Sequence, residues 1–284
     1  MTKAISRDSI YRRRRYPPEV IELCVRWYIT YRLSYRDLVA MMAERGVAVS
    51  HTTILRWVLR YVPEYEKRWA RHARPVGDSW RVDETAISIR GKNQYLYRAV
   101  DRRGKSVDHL LCADRSRGAA QAFFRKAVIT RIGQWPRTVN LDGNAASRLA
   151  LRLLGEEDRR WQRVVVRARR YLNNIVEQDH RAIKRRCAPM LGFKSFASAR
   201  ITLAGIELAH RIGKGQFSFS SHHQGASLKQ LWDWALADVD GPGEDSFRDS
   251  SQSTENAPEL NRSVTAKARV ANRRCRGSLL QGTA

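Results

Sequence analysis

Apolar residues recur at helical spacing over the first quarter of the chain, then give way to alternation. Val20, Ile21, Leu23, Cys24, Trp27 and Tyr28 mark a first helix. It opens at Pro17-Pro18, where proline suits a first turn. Leu38, Val39, Met41 and Met42 mark a second helix, with Ser34 and Asp37 as an approximate capping box and Gly46 as its stop. Ile54, Leu55, Trp57, Val58 and Leu59 mark a third, capped by Ser50 and ending before Pro63. Helix, short glycine-containing turn, helix is the helix-turn-helix pattern.

From Trp80 the period becomes two. Trp80 to Ile89 predicts a strand with Asp83 on the face of Ile87 and Ile89. Gly91-Lys92-Asn93 predicts a turn, Tyr95 to Val100 a return strand, Asp101 to Gly104 a second turn, and Val107 to Ala113 a third strand. A helix follows from about Gly118 to Ile132. Thr138 to Leu141 is a short strand ending at Asp142, Ala145 to Leu154 a helix, and Val164 to Val166 a fifth strand. A long helix starts near Asn173 or Asn174. The pattern divides the chain into a basic arm (1–16), a helix-turn-helix domain (17–72), an α/β domain (76–215) and a polar, largely irregular tail (216–284). Beyond about residue 241 the large apolar residues are too few to offset the cost of ordering, so disorder is expected there.

The order of three strands, helix, strand, helix, strand, helix is that of a ribonuclease-H-like domain, a mixed five-stranded sheet flanked by helices. Its first and fourth strands are neighbours, so Asp83 and Asp142 would meet and Glu177 would arrive from the helix side. Three clustered carboxylates repel one another unless a cation neutralises them. Phosphodiester chemistry supplies the reason for one: two hard divalent ions activate the attacking oxygen and stabilise the leaving one, and Mg²⁺ favours carboxylate oxygens. Each acid also has a plainer reading. Asp83 suits a solvent-facing strand position, Asp142-Gly143 a hairpin turn, and Asn174 with Glu177 an N-cap with its acid three residues on. Only their joint placement sets them apart. Lys184, two helical turns after Glu177 and about 10 Å along the same face, suits a DNA phosphate, and Arg181, Arg185 and Arg186 extend that positive surface.

Charge narrows the partner. Lys and Arg number 53 against 28 Asp and Glu, a net charge of +25, which favours nucleic acid or an anionic membrane. No apolar run approaches the roughly 20 residues of a spanning helix, and neither a signal-peptide core nor a lipidation motif appears. Membrane is therefore set aside in favour of double-stranded DNA. Four widely spaced cysteines (Cys24, Cys112, Cys187, Cys275) suggest neither a zinc site nor a disulfide framework, and the reduced cytoplasm is the expected compartment. The absence of a GxxxxGK[ST] string argues against a nucleotide cofactor. In the third helix, His51, Thr52, Thr53 and Arg56 occupy the first turns, where a recognition helix reaches base edges. Arg12, Arg13, Arg14 and Arg15 suit the DNA backbone. The alternative is a three-helix packing module with a solvated basic face.

Several strings are specific: Trp80-Arg81-Val82-Asp83-Glu84-Thr85, Tyr95-Leu96-Tyr97-Arg98-Ala99-Val100-Asp101, and Asn173 through Arg181. With Ile183-Lys184-Arg185-Arg186, Gly192 to Phe196 and Gly205-Ile206-Glu207, they resemble the bacterial DDE transposases of the insertion-sequence-six family. The likeness runs from about Tyr16 to Gln216. It implies a ribonuclease-H-like core with the triad Asp83, Asp142 and Glu177, followed by Lys184 as the basic residue after the glutamate. It also implies two Mg²⁺ ions (Mn²⁺ serving as a substitute), binding to terminal inverted repeats, a homo-oligomer on DNA, and replicative transposition. Ala86 and Ser88 are small or polar where such strands carry larger residues, which predicts weaker packing near Asp83. Two competing readings are a nuclease or integrase of the same fold, and a non-catalytic regulator that uses the helix-turn-helix alone. A regulator would not need three acids at these positions.

Overall fold

The computed structural model describes residues 9–11, 15–131, 133–190, 192–219 and 225–237. Arg12, Arg13, Arg14 and the tail beyond residue 237 lie outside the described residues. Residues Arg15–Gly225 form one compact unit, and the described residues 9–11 and 226–237 belong to a separate one.

The larger unit opens with α1 (Pro18–Thr30), α2 (Tyr35–Ala43) and α3 (His51–Ala70). The Ser34 hydroxyl accepts from the Asp37 amide at 3.2 Å while the Asp37 carboxylate accepts from the Ser34 amide at 2.7 Å, so the capping box is complete. Gly46 takes a φ of 70° past the end of α2, as the helix stop requires. One expectation fails here. α3 does not end before Pro63 but runs through it to Ala70. An internal proline costs about 3 kcal/mol. Pro63 lies on the exposed face, and the continuation buries Tyr65 and Trp69 completely. Trp69 meets Phe217 edge-on at 4.8 Å. Burial of two large aromatics offsets the lost hydrogen bond.

The sheet follows in the order β3-β2-β1-β4-β5. Strands β1 (Ser79–Ile89), β2 (Lys92–Asp101) and β3 (Ser106–Cys112) form the antiparallel meander. The first turn is tighter than expected: Ile89 pairs with Lys92, leaving Arg90 and Gly91 as a two-residue loop. Both have positive φ (52° and 75°), the type I′ combination that matches strand twist. After α4 (Arg117–Thr130), β4 (Thr138–Leu141) lies parallel to β1. Then come α5 (Ala145–Glu157), the single turn α6 (Arg159–Gln162), and β5 (Val165–Arg167) parallel to β4. This is the ribonuclease-H-like topology the element order predicts. α7 (Asn174–Cys187) and α8 (Phe196–Gly213) complete the unit.

Each face of the sheet carries its own core, because strand side chains alternate. Trp80, Val82, Tyr97 and Ala99 pack with Phe123, Phe124, Leu151 and Leu154 of α4 and α5. Ile87, Ile89, Leu96 and Leu111 pack with Ile183 of α7 and Leu203 and Ile206 of α8. Ala86 and Ser88 are exposed, so they take no packing from Asp83, which lies on the opposite face with Ile87.

The helical segment packs directly on α8, and Gly205 permits it. A Cβ there would lie 2.7 Å from Ile29 Cγ2 and 3.0 Å from Val62 Cγ2, both on fully buried side chains that have nowhere to go. Gly205→Val is therefore expected to destabilise the unit by about 1–3 kcal/mol, read as a lowered urea midpoint. An unchanged midpoint would mean that α1 and α3 do not press on α8.

In the smaller unit the segment after residue 216 is less irregular than expected. Ser227 and Gln230 form a capping box for α9 (Leu228–Leu236), a helix of nine residues that buries Trp232, Ala235 and Leu236.

Candidate active site

Asp83 is the fifth residue of β1 and Asp142 the first beyond β4. The parallel register ends with Val82 opposite Leu141, so the two acids follow consecutive partners at adjoining strand positions. Alternation gives them the same face. Val82 and Leu141 point into the α4–α5 core, while Asn140 points the other way, toward the start of α7.

Four asparagine hydrogen bonds fix that start. The Asn173 amide donates to the Val82 carbonyl at 3.2 Å, and the Asn140 amide donates to Asn173 Oδ1 at 2.6 Å. The Asn140 amide also donates to the Arg169 carbonyl, and its oxygen accepts from the Arg169 amide. Asn140 and Asn173 are 2% and 1% exposed, so these bonds form in a low-dielectric interior. Asn173 makes no cap bond to the helix, and Asn174 is already helical. The capping reading of Asn174 and Glu177 therefore does not hold. The side chain that would cap the helix ties it to β1 and β4 instead, and Glu177 sits one turn in, exposed.

Two further devices border the acids. His180, 5% exposed on α7, places Nδ1 3.3 Å from Asp83 Oδ2. On the other face of β1, the Glu84 side chain is only 4% exposed and accepts from Arg115 Nε at 3.0 Å and from the Asn144 amide. Asn144 caps α5 two residues after Asp142, so Glu84 anchors the loop that carries Asp142. Sequence reasoning expects a solvent-exposed His180, whereas its burial against Asp83 corrects that; it gives no role to Glu84, Asn140 or Asn144. The one visible signal was Asn140, a polar residue inside the apolar run Thr138–Leu141.

Asp83 is mostly covered, whereas Asp142 and Glu177 are exposed. The three are hard oxygen donors of the kind Mg²⁺ prefers, and Asp83 and Asp142 adjoin at one end of one sheet face. Among the described residues, however, no three His, Cys, Asp or Glu side chains are gathered closely enough to hold an ion as they stand. The donors fit in type, and the Glu177 carboxylate, half exposed, lies 3.9 Å from the Arg181 guanidinium.

The basic residues fall into two groups. Arg181, Lys184 and Arg185 are exposed on α7 and, with Gln178, line a groove of about 620 Å³. His51, Thr52 and Arg56 are exposed on the first turns of α3. Thr52 and Thr53 hydroxyls each lie 2.9 Å from the Ser50 hydroxyl. Arg15 is exposed as well. Among the described residues, no helix is long and apolar enough to cross a membrane.

A family profile described as a DDE domain matches residues 77–216. The transposase for the insertion sequence-like element IS431mec of Staphylococcus aureus is 35% identical over 206 residues, covering 72% of this chain and 89% of that protein. The transposase for insertion sequence element IS257 in transposon Tn4003, also from Staphylococcus aureus, matches to the same extent. Among solved structures, a simian T-cell lymphotropic virus intasome bound to a PP2A regulatory subunit, B56 gamma, covers 82% of this chain and 80% of its own, at 13% identity and a TM-score of 0.35. At that score the likeness carries no weight, and the strand order defines the fold by itself.

Proposed function

Because the chain belongs to the insertion-sequence-six family of bacterial DDE transposases, we propose that it binds the terminal inverted repeats of its own element. It then moves that element by Mg²⁺-dependent strand cleavage and strand transfer, replicatively and as a homo-oligomer, on DNA in the bacterial cytoplasm. The observation that carries this reading is the meeting of β1 and β4 at Asp83 and Asp142 beneath the start of α7.

In this reading Asp83, Asp142 and Glu177 would hold two Mg²⁺ ions, whose chemistry would be to activate the attacking oxygen and stabilise the leaving one. The chain itself orients the reaction. Asn140 and Asn173 fix α7 over the strand ends, Glu84 fixes the Asp142 loop, and His180 steadies Asp83. Arg181, Lys184 and Arg185 hold the DNA backbone beside the acids, and the first turns of α3 read bases, with Arg12 to Arg15 adding sequence-independent attraction.

The test is full-length protein with a duplex carrying one element end, in Mg²⁺ or Mn²⁺. New 3′ ends and joined products are expected. End binding without cleavage in either ion would favour the regulator, and cleavage without end selectivity a nuclease. The same duplex measures recognition. Arg56→Ala should weaken end binding by about 1–3 kcal/mol if Arg56 contacts a base, with little effect on shuffled duplex. Equal losses on both would move Arg56 to the backbone.

A further inference from the structure

A second basic cavity lies away from the acids. It occupies about 460 Å³ between the end of α1, the second half of α7 and the second half of α8. Arg32, Arg185, Arg186, His210 and Lys214 line it, and no carboxylate does. Lys214 and His210 are answered by Asp179. Arg32, Arg185 and Arg186 have no carboxylate within ion-pair distance among the described residues.

Arg186 is the unusual member. It is 5% exposed, and none of its three guanidinium nitrogens has a hydrogen-bond partner. Its charge lies over the Tyr28 ring at 5.0 Å, and burial lowers its pKa. A guanidinium kept from water with no anion beside it is costly. Basic residues near helix ends also complement the helix dipole, which accounts for part of this charge. Three helix C-termini carry about half a negative charge each, roughly half of what three unpaired guanidinium groups supply. The remainder makes the cavity a seat for an anion.

We propose that this cleft takes a backbone phosphate of bound DNA, with Arg32 and Arg185 at its rim and Arg186 in its floor. The proposal rests on the transposase reading and extends it to a site that reading does not contain. Continuity identifies the anion. Arg185 also lines the groove that runs with Lys184 and Arg181 along α7 toward Glu177. A strand leaving the acids along α7 therefore arrives at the cleft. Such a contact is independent of base sequence.

Gly213 provides the test. It lines the cleft, and a Cβ there meets nothing within 4 Å, so a side chain enters without disturbing the fold. Full-length wild type, Gly213→Glu and Gly213→Gln are titrated with element-end and shuffled duplexes at 50–200 mM salt. Gly213→Glu should bind both duplexes roughly tenfold more weakly at the low-salt end, and its log K against log salt should be shallower by about 0.9, one phosphate contact. Gly213→Gln, of equal size, should behave as wild type, and Arg32→Gln should repeat the shallower slope.

Unchanged slopes in Gly213→Glu and Arg32→Gln would overturn the proposal, as would equal losses in the Glu and Gln variants. Inorganic phosphate that binds wild type but not Gly213→Glu in calorimetry, with DNA slopes unchanged, would assign the cleft to a free anion. A change of oligomer size with DNA slopes unchanged would assign it to a second copy, and either result rejects DNA. Wild type is assayed for cleavage alongside, so failure of the transposase reading shows there, while the slope on shuffled duplex still judges the cleft.

Discussion

Asp83→Asn, Asp142→Asn and Glu177→Gln are each expected to lower strand cleavage by roughly 10³-fold or more, while end binding stays within about twofold of wild type. Each change keeps the shape of the side chain and removes its negative charge. Metal assistance in phosphodiester chemistry supplies several kcal/mol of transition-state stabilisation, and every 1.36 kcal/mol is tenfold in rate. Binding should survive because α3 and the α7 groove remain intact. Asp142 and Glu177 are exposed, so their amides carry little folding cost. Asp83 is mostly covered and faces His180, so its variant also needs a melting curve. Single-turnover cleavage of a labelled end, beside a binding isotherm, gives both numbers. A Glu177→Gln protein that cuts at the wild-type rate would remove Glu177 from the site.

The strand positions of Asp83 and Asp142 are legible in the sequence because their signals are local. The alternation of Val82, Asp83 and Ile87 states which face Asp83 takes, and the order of elements states which strand end Asp142 reaches. What stayed hidden depends on tertiary packing. Arg98, Asp179 and Glu207 stand at inward positions of their elements, beside Leu96, Val176 and Leu203, and each faces another charge across the core. Pro63 reads as a helix end until Trp69 is seen to need the extra turns. Gly205 looks like an ordinary helix interruption until Ile29 and Val62 are found against it. Glu84 is the alternating neighbour of Asp83, and its bond to Asn144 makes it a support for the opposite face.

The largest stability effect is expected at Arg98. Its guanidinium is 1% exposed, donates to Glu207 Oε2 at 2.9 Å and to Asp179 Oδ2 at 3.2 Å, and so ties β2 to α8 and α7. Lys214 and His210 complete the coverage of Asp179. Burial alone would raise the pKa of both acids. For Asp179, hydrogen bonds from His210 and Lys214 and the charge of Arg98 outweigh it. For Glu207, the charges of Arg98 and His109 do so. Both acids end below the usual carboxylate range. Arg98→Leu leaves two buried anions without their shared cation and should cost about 3–5 kcal/mol, a large share of a typical 5–15 kcal/mol stability.

The sign of the pH dependence follows from the same shifts. Carboxylates with depressed folded values contribute stability above their unfolded pKa near 4 and lose it as pH falls through the folded values. His109, pushed down to about 4 by burial, loses stability as pH falls below about 6.5. Glu66, pushed up to about 7 by burial, loses it as pH rises through roughly the same window. These two slopes oppose, so wild-type stability should be nearly flat from about pH 4.5 to 6.5 and drop steeply below about 4. In Arg98→Leu the acids are no longer held down by Arg98, so the acid drop should begin at higher pH. Urea unfolding across pH 3–8 measures both effects. Arg98→Leu with Glu207→Leu should recover part of the loss, since the uncompensated charge goes with its partner. A single Arg98→Leu variant as stable as wild type, with the same acid midpoint, would mean that α7 is held over the sheet by its asparagines and apolar face alone.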